Sequence, residues 1–81
     1  MKTSNYQILY SSFLTSKYDF VNAFIQWLFL DGYREIDMIE KIACRLYSSL
    51  SLVNIRSLNE FETNLKSLME HSLRYEMRSL K

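Results

Sequence analysis

The sequence predicts an all-α fold: a small bundle of three to four helices, dimeric through its last helix. Three observations carry that expectation. Proline is absent and glycine occurs once in 81 residues, so both strong helix breakers are nearly missing. Apolar residues recur at three and four over long stretches. Serine boxes of the helix-starting type stand where that periodicity begins.

Three such boxes occur: Ser4-Asn5-Tyr6-Gln7, Ser16-Lys17-Tyr18-Asp19 and Ser57-Leu58-Asn59-Glu60. In each, the serine hydroxyl can accept from a free backbone N–H, and the polar residue three places on can reach back. Asp is a shorter and poorer third member than Glu or Gln. The first helix is therefore expected over about residues 4–14, and the second over about 17–31 with Gly32 as the residue past its end. The third should run over about 34–50, then a connector over residues 52–56, and the fourth over about 58–80.

In the second helix the stretch DFVNAFIQWLFLDG holds nine Phe, Val, Ala, Ile, Trp or Leu residues among fourteen. Asp19, Asn22 and Gln26 form one narrow polar stripe, and the rest of the circumference is apolar. Such a helix is either central or an interface. It is too short to cross a membrane, which takes about 20 apolar residues. The expected place is central, wrapped by the other three helices.

The third helix carries a core stripe of Ile36, Ile39, Ala43, Leu46 and Leu50, widened by Ile42 and Tyr47. On the fourth, Glu62, Lys66, Glu70, Arg74 and Arg78 form a ladder at four-residue steps that marks the wet face. Leu58, Phe61, Leu65 and Leu68 mark the dry one. The seam then shifts to Met69, Leu73, Met77 and Leu80. This helix should be roughly 35 Å long against roughly 22–26 Å for the two before it. A simple antiparallel bundle leaves its end uncovered, which points to a second chain on Leu73, Met77 and Leu80.

A chain of this length makes one domain, residues 1–81, with a thin core. One cysteine, Cys44, allows no internal disulfide and suits a reducing, cytoplasmic setting. With one histidine, His71, there is no four-ligand zinc set, and no cofactor is expected. Nothing in the N-terminal MKTSNYQILYSSFL forms a signal-peptide core. Ten basic and nine acidic side chains balance. That argues against general nucleic-acid binding, where basic excess supplies the affinity. No calcium-loop, phosphate-loop or catalytic pattern occurs. Cys44 is expected to be a buried core residue and His71 a surface one, so no enzyme is expected. Gly, Ala, Arg and Pro total 8 residues, whereas Phe, Tyr, Met, Ile, Asn and Lys total 31. This bias fits an AT-rich gene of a low-GC bacterium, its phages or its mobile elements.

Residues 1–33 hold nine of the twelve aromatic residues and only four charges. Tyrosine and tryptophan are enriched in protein interfaces. The expected function is thus a cytoplasmic, non-enzymatic regulator of the inhibitor or adaptor type. It would dock a helical face on a larger protein through Tyr6, Tyr10, Tyr18, Trp27 and Phe29, with Leu73, Met77 and Leu80 at a homodimer interface. One alternative is a dimeric DNA-binding regulator using Arg34, Lys41, Arg45 or the C-terminal Arg74, Arg78 and Lys81. Another is an immunity-type protein resting at the inner membrane face.

Overall fold

Ser16 alone turns the chain between its first two helices. The computed structural model describes the backbone of residues 5–79 and the side chains of residues 5–71. Among these residues the chain forms four helices and no strand: α1 (Asn5–Thr15), α2 (Lys17–Leu30), α3 (Ile36–Ser51) and α4 (Leu58–Ser79). Ser16 is extended, at φ −169° and ψ 162°, and its hydroxyl accepts from the Asp19 N–H at 3.1 Å. The Ser16 N–H is already given to the Ser12 carbonyl of α1, so Asp19 has no free amide there to reach back to. The break is one residue long because Ser16 ends one helix and caps the next.

The second turn is built by Gly32. Its φ is +105°, in the region that side chains disfavour. The Gly32 N–H donates to the Phe29 carbonyl and the Tyr33 N–H to the Leu28 carbonyl, the paired bonds of a Schellman ending. The third turn leads into a box whose serine and glutamate both work. Glu60 N–H donates to the Ser57 hydroxyl at 3.2 Å, while the Glu60 carboxylate accepts from the Arg56 N–H at 3.0 Å. The glutamate thus reaches one residue further back than the sequence pattern implies. Ser4 of the first box lies outside the described residues.

The helices alternate in direction around a closed ring. α2 packs on α1 and α3, and α4 packs on α3 and α1. Ring contacts fix the register. Tyr6 meets Trp27 at 5.4 Å and Phe13 meets Phe20 at 5.9 Å, so α1 and α2 run antiparallel. Tyr10 and Phe13 meet Phe61 at 5.0 and 5.4 Å, which sets α4 beside α1. All four helices meet at one aromatic cluster, in which Phe13 and Phe20 each touch both Tyr47 of α3 and Phe61 of α4. Such pairs add about 0.5–1.5 kcal/mol each beyond their area. The buried core is Leu9, Phe20, Phe24, Leu28, Ile39, Ile42, Ala43, Leu46, Leu50, Phe61 and Leu65.

The expected third-helix stripe is buried except at its start. Ile36, the first residue of α3, is 38% exposed. α3 begins two residues later than expected, and Glu35 at its N-cap makes no side-chain cap bond. On α4, Glu62 and Lys66 close an ion pair at 3.1 Å on the wet face. Surface pairs of this kind contribute about 0.3–0.5 kcal/mol. Leu73 and Met77 belong to the α4 backbone, but their side chains, and all of Leu80, lie outside the described residues.

Candidate functional site

The wide apolar surface of α2 divides into three strips. Phe20, Phe24 and Leu28 point into the core and are fully covered. Asp19, Asn22 and Gln26 lie in water, as their stripe implied. Between the two, on the side towards α3, runs a strip of Tyr18, Ile25 and Phe29. Tyr18 and Phe29 are eleven positions apart, about three helical turns, so they project from nearly the same side. Tyr18 is 75% exposed, Phe29 43% and the neighbouring Leu30 84%.

Two shallow hollows follow this strip. One, of about 410 Å³, is lined by Lys17, Tyr18, Val21, Asn22, Glu40 and Cys44. The other, of about 400 Å³, is lined by Ile25, Gln26, Phe29 and Leu30. The two hollows share no lining residue, and each includes one amide side chain, Asn22 or Gln26. Lys17 and Glu40 belong to the first. Beside the second, the Arg34 guanidinium lies 4.1 Å from the Phe29 ring centre and also donates to the Phe29 carbonyl.

The five aromatic residues picked from the sequence do not share one face. Tyr18 and Phe29 are exposed on this strip. Tyr6, Tyr10 and Trp27 are half-buried on the far side and pack against the core. Most of the aromatic excess of residues 1–33 therefore serves the fold: Phe20 and Phe24 are buried, and Phe13 and Tyr33 also pack on the core. Val21, Ile25 and Leu30 also line these hollows. Ile8 of α1, Leu52 and Val53 are exposed too. Nothing in their local spacing separates them from core residues.

The remaining chemistry is sparse. Cys44 is half-buried at the edge of the first hollow, short of the full burial expected of it, and His71 is exposed on α4. Among the described residues no group of three or more His, Cys, Asp or Glu side chains is placed to hold a metal ion. Among them, too, no helix is long and apolar enough to cross a membrane. Of the basic residues considered for DNA, Arg34 is engaged by Phe29, while Lys41 and Arg45 lie exposed on α3 beside Glu40 and Asp37. No protein-family model, curated protein or solved structure matches the chain.

Proposed function

We propose that this protein is a small non-enzymatic regulator of the inhibitor or adaptor type. It docks the α2 strip on a larger protein and blocks or redirects it, and it works as a homodimer through the end of α4. The observation that carries the docking role is the exposure of Tyr18 and Phe29 on one side of α2, with the half-buried Ile25 between them. Apolar side chains gathered along one strip mark binding surfaces more often than apolar residues scattered singly. A strip about three turns long, from Tyr18 to Phe29, suits an amphipathic helix of the target, anchored at i, i+4 and i+7 positions. The amino-acid bias favours a low-GC bacterium, phage or mobile element as the source.

The test is affinity capture by the tagged chain from a low-GC bacterial lysate treated with nuclease, read by mass spectrometry. One stoichiometric protein that is lost with Tyr18→Glu and Phe29→Glu supports the proposal. Capture of nucleic acid alone in an untreated control favours the DNA-binding alternative. Co-sedimentation with vesicles, and no protein partner, favours the membrane-surface one.

A further inference from the structure

We propose that Arg34 decides which partner the α2 strip accepts: it selects an amphipathic helix that carries a carboxylate next to the apolar residue laid on Phe29. This rests on the docking reading above and gives the target helix a charge.

Charge is uneven along the strip. The hollow beside Tyr18 is lined by one cation and one anion, Lys17 and Glu40. The hollow beside Phe29 has no charged lining residue. Arg34 reaches that ring from across the turn, its guanidinium carbon 4.1 Å from the ring centre. The Phe29 end of the strip therefore presents an apolar anchor and a positive charge side by side.

The cation is held but not neutralised. Its Nη1 donates to the Phe29 carbonyl while the ring faces the guanidinium. Asp31 and Glu35 are close in the chain and exposed, yet among the described residues Arg34 pairs with no carboxylate. A guanidinium carries several N–H donors, and the end of α2 uses one of them. A carboxylate accepts from two in parallel, a geometry that a lysine in this place would not offer.

Position adds to this. Ring and carbonyl hold the guanidinium in place, so binding takes less side-chain freedom from it than from a loose surface arginine. A partner that seats an apolar side chain on Phe29 removes water from beside the charge. There an unpaired guanidinium is costly, and an acid offsets the loss. On a helix that acid belongs three or four positions from the anchor, on the same side. A basic residue at that position would meet Arg34 as a like charge.

Selection from a displayed library of helical peptides tests this. Apolar anchors are fixed at i, i+4 and i+7, the exposed positions beside them are randomised, and the full chain is the bait. On the wild type, Asp or Glu should be enriched three or four positions from one terminal anchor. The Arg34→Glu bait should reverse that preference to Lys or Arg, and should bind a selected acidic peptide about tenfold or more weakly. If Arg34→Glu loses its helical circular dichroism, Arg34→Gln takes its place. Changing the peptide's acid to Gln should then cost the wild type about fivefold and Arg34→Gln nothing further. Peptides that need Tyr18 and Phe29 but show no acid preference, or one that the Arg34 variants leave in place, overturn the role of Arg34 and leave the docking reading standing. If no selected peptide is lost with Tyr18→Glu and Phe29→Glu, both fall. Self-association of the wild type in sedimentation equilibrium that Phe29→Glu abolishes would assign the strip to a second copy, and would overturn the proposal as well.

Discussion

Arg34 covers Phe29 from two directions. Its guanidinium carbon is 4.1 Å from the ring centre, and its Nη1 donates to the Phe29 carbonyl. That carbonyl also accepts from the Gly32 N–H, so the Arg34 charge sits on one of the two carbonyls that the Schellman ending satisfies. A cation beside a helix C-terminus contributes about 0.3–1 kcal/mol, and the ring contact adds about 0.5–1 kcal/mol at an exposed site. Arg34→Ala should therefore lower unfolding stability by about 1–2 kcal/mol, read from urea titration by circular dichroism. An unchanged midpoint would mean that the contact does not persist in solution.

Gly32 offers a cleaner backbone test. A Cβ built there meets nothing within 4 Å, so space is not the constraint. The φ of +105° is. Gly32→Ala should cost about 1–2 kcal/mol from backbone conformation alone. A larger loss would show that the added methyl clashes with a neighbour.

Phe24 and Phe29 separate core from surface on one helix. Phe24 is fully buried and Phe29 is 43% exposed. Phe24→Ala should cost about 3–5 kcal/mol. Phe29→Ala should cost roughly 1 kcal/mol or less. The difference between the two variants is the quantity to measure, and equal losses would contradict the division of α2 into a covered and an open strip.

The two caps seen in the structure should respond alike. Ser16→Ala and Ser57→Ala each remove an acceptor for a first-turn N–H, at 3.1 and 3.2 Å. Each should cost about 1 kcal/mol. Glu60→Ala should add to the Ser57 loss by freeing the Arg56 N–H, which the carboxylate now accepts from at 3.0 Å.

Helix positions were legible in the sequence because local chemistry sets them. Ser16, Gly32 and Ser57 each act through neighbours within a few residues, so the boundaries fall within two residues of the pattern. The core faces of α3 and α4 were legible because charge occupies their other sides. α2 was legible only in part, since apolar residues surround most of it and its period does not show where the covered strip ends. The packing of the other three helices decides that Phe20 and Phe24 are covered while Tyr18 and Phe29 stay open. Ile36 fits the same period as its buried neighbours, yet at the first position of its helix it stays partly exposed. The Arg34–Phe29 contact crosses the turn that Gly32 makes, which no spacing rule describes.

The most direct test of the account is a calorimetric titration of the captured target with the wild type and with Phe29→Ala, once that target is purified. If the α2 strip is the docking surface, Phe29→Ala should weaken binding at least about tenfold, as for an interface anchor, while its helical circular dichroism stays unchanged. Equal affinity for the two proteins would contradict the assignment of this strip to the partner.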